Sequence, residues 1–343
     1  MKRWLLLPLL GASLLPLHSA RADDLNARAT QIKSQLQTQW LPAWVKTSTA
    51  NELATDAALN LQTLSHAHSL GYSTPQLDLL AAASAHYKLL RDSRRDKTND
   101  GFYLRSQDSK EPTKSTLLQA VVVSALVEYA RASGENEPRG LAVKIWRVIR
   151  DRTRDKINGG YYDSFYSAPP SATGASAFGQ KSALTHLALL EAGTELYALT
   201  HDRSIRTDLV ELLDLNQGRF FSVRSEESAR VYSPDWRTVP QNEQPEQPNR
   251  AVTAEAGIAI VRAQTALGLP IGWVDFTRRV ELEGTSANPA TVNALTPLVK
   301  IASNREERAT QLDSALDGLN TNAAQLPVDS GIPLLDFVAA FEK

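Results

Sequence analysis

A loop rich in glycine and aromatic residues recurs along this chain at an almost constant spacing. The first copy occupies residues 95–103, and the second occupies residues 154–162. A weaker third copy, residues 216–221, follows the second after nearly the same interval. Sequence with helical periodicity separates the copies. A fixed period of this length is typical of one supersecondary unit, two helices and a loop, that is used repeatedly.

The spacing of apolar residues predicts helices over almost the whole chain. Strand-like alternation is confined to short hairpins around the aromatic loops. Twelve helices arranged as hairpins give six pairs. The predicted helices cover residues 24–46, 52–70, 75–92, 115–133, 139–155, 182–200, 203–215, 251–267, 273–283, 289–303, 305–319 and 331–342.

Two kinds of helix alternate along the chain. Residues 116–133 are apolar around most of the helix circumference, as a helix buried on all sides must be. Residues 139–155 carry their charges on one side, as an outer helix would. Residues 182–200 and 252–267 return to the buried type. An inner ring of buried helices inside an outer ring of amphipathic helices is an all-α fold, the (α/α)6 barrel or toroid.

The links between these helices are unequal in length, and this predicts where a site lies. Links from a buried helix to the next amphipathic helix are short, whereas the links back are long, at about 93–114, 156–181 and 216–250. All the long links therefore meet at one end of the barrel, over the N-termini of the inner helices. Binding residues concentrate on long loops that a rigid scaffold carries. We call this end the mouth.

The first 22 residues have the pattern of an export signal. Lys2 and Arg3 precede an apolar run over residues 4–17, and residues 20–22 form an A-x-A cleavage pattern. The run is too short and too interrupted by proline to span a membrane as a helix. We expect a mature, periplasmic or secreted protein that begins near Asp23 and forms one barrel domain, residues 23–343, with no membrane span. An uncleaved anchor is the alternative.

Composition excludes several classes of function. The chain has 37 basic and 38 acidic residues and no cysteine. The charge balance gives no basic surface for nucleic acid or anionic lipid. The lack of cysteine excludes disulfides, thiolate catalysis and cysteine-bound metal. His66 and His68 lie two positions apart and cannot share a helix face, so no metal pair is expected there, and no cofactor is predicted.

Each predicted inner helix has polar residues at its start, before the apolar run. An alignment of the first two of these helices that superposes Gly134 on His201 places Gln119 opposite His186. Two polar residues at one position of otherwise apolar helices indicate a shared cavity at the mouth. The sequence therefore predicts His186 and Glu255 as catalytic residues and, as substrate-binding residues, Lys114, Gln119, Tyr162, Lys181, Trp236 and Arg250.

Structural roles are the alternative for these residues. A single histidine in a helix is more often a hydrogen-bonded packing residue than a catalytic one, and for His186 the two roles are equally favoured because Gln119 shares its position. Glu255 could be the buried partner of Arg250. The aromatic residues of the repeated loops could be core residues that seal those loops, while Trp236, on the longest loop, would suit stacking against a sugar ring.

Residues 181–192 (KSALTHLALLEA) resemble the helix K-x-M-N-T-H-L-H-x-L-E-A of the N-acylglucosamine 2-epimerase superfamily, which includes cellobiose 2-epimerases and mannose isomerases. Residues 114–120, 234–236 and 255–256 match further family motifs in the same order, and the similarity runs from about residue 40 to residue 267. The resemblance implies an (α/α)6 barrel with a sugar site at one mouth.

The chain departs from this family at the positions that carry its chemistry. The resemblance implies that two histidines exchange a proton beside a sugar carbonyl. At the first position this chain has Val252, and no histidine follows His201. The family arginine on the second helix corresponds to Gln62, and the second histidine of T-H-L-H corresponds to Ala188. One remaining histidine, His186, cannot supply both proton transfers.

These observations leave several functions open, each with a small saccharide or polysaccharide as partner. The first is an exported carbohydrate-binding or carbohydrate-processing protein without the two-histidine machinery. The second is an active sugar 2-epimerase or aldose–ketose isomerase that uses His186 with Glu255. The third is a polysaccharide hydrolase or lyase of the α/α-toroid type, with Asp163 and Glu255 as its carboxylates. A protein-interaction scaffold with a filled mouth is the fourth.

A sugar-binding mouth makes one specific structural prediction. His186, Gln119 and Lys181 should line one cavity there, with Trp236 above them as a lid. Replacement of His186 by alanine would then weaken ligand binding and leave the fold largely intact.

Overall fold

The computed structural model describes residues 20–46, 52–106, 111–168, 177–222, 231–240, 251–272, 275–277, 289–301, 305–319 and 331–342. The predicted export segment, residues 1–22, lies outside this part of the chain except for its last three residues, where the first helix begins. The predicted helix 273–283 also lies largely outside it.

The described residues are mostly helical, close to the pattern that the periodicity predicts. Three helices continue into a π-helical turn. The bounds are α1 (Ala20–Gln35, followed by the π turn Leu36–Trp40), α2 (Leu41–Val45), α3 (Ala54–Ser69), α4 (Leu79–Leu89, followed by the π turn Leu90–Arg94), α5 (Thr116–Ser133), α6 (Asn136–Thr153), α7 (Ala183–Thr200), α8 (Arg203–Leu215, followed by the π turn Asn216–Phe220), α9 (Ala251–Leu267), α10 (Pro289–Ile301), α11 (Arg305–Gly318) and α12 (Gly331–Phe341).

Six of these helices form a closed inner ring. In order around the ring they are α3, α5, α7, α9, α10 and α12, and α12 packs back onto α3. Helix α4 packs on α3, α6 on α5, α8 on α7 and α11 on α10, while α1 packs on α12. The predicted (α/α)6 barrel is therefore confirmed.

Side-chain chemistry explains which helices lie inside. Most of α5 is buried, including Val122, Val123 and Leu126, because it contacts its two ring neighbours and an outer helix. Helix α6 buries Leu141 and Ile145 and leaves its charged residues outside. A helix with one apolar face can be covered from one side only. It therefore belongs to the outer ring.

The ends of the inner helices reflect the repeat. Ser115 caps the start of α5, and its hydroxyl accepts a hydrogen bond from the Leu118 amide. Ser182 caps the start of α7, and its hydroxyl accepts a hydrogen bond from the Thr185 amide. Helix α5 ends at Gly134 and α7 at His201, both with positive φ angles, of 73° and 54°. The alignment made on the sequence thus relates two equivalent helices from end to end.

Short strands join the mouth loops to the starts of the inner helices. Strands β1 (Thr113–Ser115), β2 (Ser164–Tyr166) and β3 (Ala177–Phe178) form one antiparallel sheet, and β4 (Lys181–Ser182) pairs with β5 (Val231–Tyr232). Strand β1 leads into α5 and β4 into α7. The loops at the mouth are therefore tied to one another and to the inner ring.

Candidate functional site

The first glycine–aromatic loop is organised around one buried carboxylate. The Oδ1 atom of Asp96 accepts hydrogen bonds from the amides of Thr98 and Asn99, both at 2.9 Å. Its Oδ2 atom accepts from the Tyr103 hydroxyl at 2.7 Å and from Lys114 Nζ at 2.6 Å. Burial opposes ionisation, but these donors hold the pKa of Asp96 well below its usual range. The predicted binding residue Lys114 thus anchors the loop.

The second loop repeats this arrangement around Asp155. Asp155 Oδ2 accepts from Lys181 Nζ at 2.8 Å and from the Tyr162 hydroxyl at 3.2 Å. Lys181 also donates to the carbonyl oxygens of Gly159 and Pro234, both at 2.7 Å. Three acceptors therefore surround an ammonium group that is fully buried. Lys181 connects the second loop to the segment that carries Pro234.

Gln119 and His186 are equivalent anchors for the two loops. Gln119 Oε1 accepts the Phe102 amide at 2.7 Å, and its Nε2 donates to the Phe102 carbonyl at 3.0 Å. His186 Nε2 accepts the Tyr161 amide at 3.0 Å, and its Nδ1 lies 2.8 Å from the carbonyl oxygen of Ser182. Both side chains are fully buried. The sequence alignment paired them correctly, but each lies under its own loop, so they do not line one open cavity.

The environment of His186 favours a neutral, structural imidazole. Burial lowers the pKa of His186 to about 4, and the positive charge of Lys181 acts in the same direction. With its proton on Nδ1, the ring donates to Ser182 and accepts from Tyr161, so both nitrogens are occupied. The ring also packs on Phe220, with centroids 4.5 Å apart. A catalytic role for His186 remains a prediction that this geometry does not support.

Trp236 covers the second loop and closes the space above it. Its Nε1 donates to the carbonyl oxygen of Asn158 at 2.7 Å, and its ring lies 4.4 Å from Lys181 Nζ. Gly160 has a φ of 76°, and a Cβ atom there would lie 2.8 Å from the Trp236 ring and 3.1 Å from His186 Nε2. The tryptophan therefore packs against two of the three residues that it was predicted to cover, Lys181 and His186, and it seals the second loop.

The other predicted site residues lie at the second loop, on an inner helix or outside the described residues. Tyr162 is bonded within the second loop, and Asp163 accepts from the amide and hydroxyl of Ser182 at 3.2 and 2.7 Å, so Asp163 helps to start α7. Arg250 lies outside the described residues. Glu255 differs from the rest, because it lies within an inner helix and is partly exposed.

The partly exposed residues of the inner helices reveal a second set of polar groups. On α3, α5 and α7 these residues recur at spacings of four, three and four positions, which places them on one face of each helix. The other faces are buried against neighbouring helices, so this face borders the lumen. The residues are Thr55, Leu59, Gln62 and His66 on α3, Leu117, Val121, Ser124 and Glu128 on α5, and Leu184, Ala188, Glu191 and Glu195 on α7.

Charged residues join the helices across the deep end of the lumen, away from the mouth. His66 Nδ1 lies 3.0 Å from Glu128 on α5, and its Nε2 lies 3.0 Å from Asp336 on α12. Arg262 on α9 lies 3.5 Å from Asp336. Helices α9 and α12 are not neighbours in the ring, so this last contact crosses the lumen. We call His66, Glu128, Asp336 and Arg262 the lumen floor.

The floor holds His66 as a cation. Burial lowers the pKa of His66, but hydrogen bonds to Asp336 and Glu128 outweigh it and raise that pKa to about 10. An imidazolium at neutral pH donates from both nitrogens and has no lone pair to accept a proton. His66 therefore cannot act as a base there. Within the described residues, no group of three histidine, aspartate or glutamate side chains could hold a metal ion.

Two carboxylates lie on the mouth side of the lumen floor. Glu191 is one turn from Glu195 in the direction of the mouth, and Glu255 is two turns from Arg262 in the same direction. Burial raises the pKa of Glu191 to about 8, and the negative charge of Glu255 adds to this shift, while Arg262 opposes it. Burial also raises the pKa of Glu255. The negative charge of one carboxylate therefore disfavours ionisation of the other.

Comparison with known proteins agrees with this architecture. The family model of N-acylglucosamine 2-epimerase matches residues 52–259, which is more than half of the chain. The chain belongs to the N-acylglucosamine 2-epimerase family. A cellobiose 2-epimerase from Dictyoglomus turgidum is 30% identical over 151 residues, which cover 42% of this chain and 38% of that protein. The matched region is thus well under half the length of this relative.

Solved structures show the same fold at lower identity. The cellobiose 2-epimerase of Spirochaeta thermophila superposes with a TM-score of 0.76 at 18% identity, over 94% of this chain and 98% of that one. The cellobiose 2-epimerase of Bacillus thermoamylovorans also gives a TM-score of 0.76, at 16% identity, over 92% and 99% of the two chains. The structural similarity to these two proteins extends beyond residue 267 of this chain, where the sequence resemblance fades.

The family motifs contain lumen residues that the sequence prediction missed. Glu191 lies in the same T-H-L-H-x-L-E-A motif as His186, five positions later, and it faces the lumen whereas His186 faces a loop. Asp336, Arg262 and Glu128 were not identified, and His66 was considered only as a metal ligand. A usable signal existed, because polar residues four positions apart interrupt helices that are otherwise largely apolar. These residues lie beyond the first turns, to which the prediction was confined.

Proposed function

We propose that this protein binds a saccharide in the barrel lumen and that it lacks the two-histidine proton transfer implied by its family resemblance. Polar residues that face the lumen, Gln62, Ser124, Glu191 and Glu255, would contact the sugar. The observation that carries the proposal is the position of Glu191 and Glu255, two carboxylates of inner helices on the mouth side of the lumen floor. Carboxylates and amides are suitable acceptors and donors for sugar hydroxyls.

The histidines support the second half of the proposal. Val252 stands at the position of the first family histidine, and no histidine follows His201. Among the described histidines, His186 is enclosed by a loop and His66 is held as a cation. His86 is buried in contact with Glu52. His68 bonds the Ser73 hydroxyl after α3, and His201 follows the last residue of α7 at the end away from the mouth. Two opposed, neutral imidazoles are therefore not available in the described part of the lumen.

Calorimetric titration of the mature chain tests saccharide binding. We expect affinity for at least one of glucose, mannose, cellobiose and N-acetylmannosamine. Glu255→Gln should weaken it by about 10–100-fold, because a hydrogen bond to a charged group contributes roughly 1.5–3 kcal/mol. Glu191→Gln should weaken it less, because the raised pKa of Glu191 leaves that carboxyl largely protonated at pH 7. The control is Glu137→Gln, on an outer helix, which should change nothing. Absence of binding by every sugar would refute the proposal, as would equal affinities for all three variants.

An aldose–ketose isomerase is the second candidate, and the raised pKa values of the two lumen glutamates favour it. A carboxylate with a raised pKa can serve as a general base near neutrality. Glu255 would take a proton from the sugar carbon, with Glu191 rather than His186 as its partner. Incubation of the four sugars in heavy water separates the candidates. Deuterium at C2 that disappears in Glu255→Gln would establish the isomerase, whereas its absence in the wild type favours binding alone.

Export is also part of the proposal. It rests on the basic, apolar and A-x-A pattern of residues 1–22. Within the described part of the chain, every helix is too short or too polar to cross a membrane. N-terminal sequencing of the protein recovered from a periplasmic fraction should give a chain that begins near Asp23. Recovery of the intact N-terminus in the cytoplasm would refute this part.

A further inference from the structure

The three-stranded sheet at the mouth has one buried face and one face that is open to solvent. Successive residues of a strand point to opposite faces, and residues that pair across strands share a face. Lys114, Phe165 and Ala177 pair in one row, and all three are buried. The residues of the opposite face are exposed or half-buried. We call them the platform: Thr113, Ser115, Ser164, Tyr166 and Phe178.

Two aromatic side chains on the platform depart from what an outward sheet face usually carries. When one face of an antiparallel sheet packs on a core, the other is typically polar. Tyr166 and Phe178 break this rule, because they are 44% and 36% exposed. Their ring centroids lie 4.7 Å apart, with an angle of 36° between the ring planes. Packing within the described residues therefore leaves a joined aromatic surface uncovered.

Hydroxyl groups border the two rings. Ser115 pairs with Ser164 across β1 and β2, and Thr113 pairs with Tyr166. The Ser115 hydroxyl accepts the Leu118 amide and still has its own proton to donate. Among the described residues, the hydroxyls of Thr113, Ser164 and Tyr166 have no hydrogen-bond partner. The platform thus combines aromatic rings with neutral donors and acceptors, and none of its side chains is charged.

The size and chemistry of this surface fit a sugar rather than a protein. A phenylalanine or tyrosine side chain has about 150–250 Å² to bury, so the two rings leave roughly 150 Å² open at their exposures. A stable protein–protein interface needs about 800 Å² from each partner. A sugar ring is small enough, and it has an apolar face of C–H groups with hydroxyl groups around its edge. The C–H face can stack on the rings while the hydroxyls bond to the serine and threonine side chains.

The platform adjoins the entrance to the lumen. The Thr116 amide, at the start of α5, donates to the Asp163 carbonyl oxygen at 2.9 Å, and Asp163 also accepts the Ser182 hydroxyl at the start of α7. The sheet therefore lies at the mouth, between the starts of two inner helices. Ser124, one of the lumen residues assigned to the saccharide above, lies nine positions after Ser115 on α5, which corresponds to about 14 Å along the helix.

We propose that the platform is an outer sugar subsite, so that the ligand is an oligosaccharide or polysaccharide. One end of it enters the lumen, and a later sugar unit stacks on Tyr166 and Phe178. This inference rests on the proposed function, which supplies the site in the lumen. It adds the length of the ligand, since a single sugar ring cannot reach both Ser124 and the platform.

Calorimetric titration of the mature chain with matched sugars tests the length of the ligand. The probes are glucose, mannose and N-acetylglucosamine, together with cellotetraose, mannotetraose and chitotetraose. We expect at least one tetrasaccharide to bind at least about tenfold more tightly than its parent monosaccharide, because it also covers the apolar surface of the platform. Equal affinities for tetrasaccharide and parent would overturn the inference and leave saccharide binding in the lumen intact.

Variants of the platform locate the gain in affinity. Tyr166→Ala and Phe178→Ala should each lower the ratio of tetrasaccharide to monosaccharide affinity about three- to tenfold, because each removes a stacking ring. Tyr166→Phe keeps the ring and should retain most of the ratio. The control is Leu269→Ala, because Leu269 is 41% exposed and follows α9 at the end of the barrel away from the mouth. An equal effect of Tyr166→Ala and Leu269→Ala would overturn the assignment of the platform.

The lumen variant Glu255→Gln separates this inference from the proposed function. If both hold, Glu255→Gln weakens monosaccharide and tetrasaccharide binding alike, whereas Tyr166→Ala acts mainly on the tetrasaccharide. Tetrasaccharide binding that responds to Tyr166→Ala but not to Glu255→Gln would support the platform and refute the lumen site. Binding by no probe would overturn both.

Sedimentation velocity tests whether a second copy of the chain covers the platform instead. We expect wild type and Tyr166→Ala to sediment alike at the concentrations used for titration. A wild-type dimer that dissociates in Tyr166→Ala would overturn the sugar subsite.

Discussion

Replacement of His186 by alanine should destabilise the protein strongly, contrary to what a cavity-lining histidine would do. The side chain is fully buried, bonds the Tyr161 amide and the Ser182 carbonyl, and packs on Phe220. Truncation of a large buried side chain costs roughly 2–5 kcal/mol. Loss of the acceptor also leaves the Tyr161 amide without its partner, at a cost of about 1–3 kcal/mol. A loss of at least about 3 kcal/mol is therefore expected.

The equivalent residue of the first repeat provides a rescue variant. Gln119 accepts the Phe102 amide and donates to the carbonyl oxygens of Phe102 and Ser115. Glutamine at position 186 can accept from Tyr161 and donate to Ser182 in the same way. His186→Gln should therefore recover about half or more of the stability that His186→Ala loses, although the contact with Phe220 is reduced.

Denaturant unfolding at pH 7, with and without a bound saccharide, measures both effects. The free energy of unfolding should fall in the order wild type, His186→Gln, His186→Ala, while saccharide affinity of the folded variants stays within about twofold. A loss below about 1 kcal/mol in His186→Ala, together with a large loss of affinity, would refute the structural role. Equal stabilities of the two variants would refute the equivalence with Gln119.

Three further predictions concern buried charges. Lys181→Met should cost about 3–5 kcal/mol in denaturant unfolding, because it leaves Asp155 buried without its cation, and Lys181→Met with Asp155→Asn should cost less than the sum of the single changes. His66→Gln should lower the free energy of unfolding at pH 6, and this loss should shrink towards pH 10. A raised histidine pKa stabilises the fold fully below the pKa of the unfolded state, about 6.5, and the contribution is lost as the pH rises to about 10. A pH-independent difference would contradict the charged state of His66. Glu191→Gln should be about as stable as the wild type near pH 5 and more stable near pH 8.5. A glutamate pKa raised to about 8 in the folded state lowers the free energy of unfolding as the pH rises from about 4.5. No gain in stability at pH 8.5 would contradict the raised pKa of Glu191.

The repeat and the helix periodicity were sufficient to predict the ring. Both are local patterns, and the alignment of two inner helices correctly paired Gln119 with His186 and Gly134 with His201. The direction in which each polar side chain points was not predictable in the same way. His186 and Glu191 lie on one helix, yet His186 turns outward beneath a loop while Glu191 turns into the lumen. Five positions correspond to about 500° of rotation, so the two side chains face different ways.

Asp336 shows why the lumen floor was harder to predict. It lies in the last described helix, 270 residues beyond His66, and no local pattern relates the two. Their contact depends on closure of the ring, which brings α12 against α3. Glu128 and Arg262 likewise lie in helices that are largely apolar. Each has an ordinary structural explanation when taken alone, and their significance appears only when the ring places them around one axis.

The two polar systems of the barrel have different tasks, and the hydrogen bonds distinguish them. Around Asp96 and Asp155 every donor comes from the same loop or from the segment that leads into the next inner helix, so these groups fix the mouth in position. The floor instead joins α3, α5, α9 and α12 across the axis, and Glu191 and Glu255 lie on its mouth side. A ligand that enters from the mouth therefore meets these two carboxylates before it meets the floor. Of these two systems, the lumen rather than the loops is therefore where binding chemistry is available.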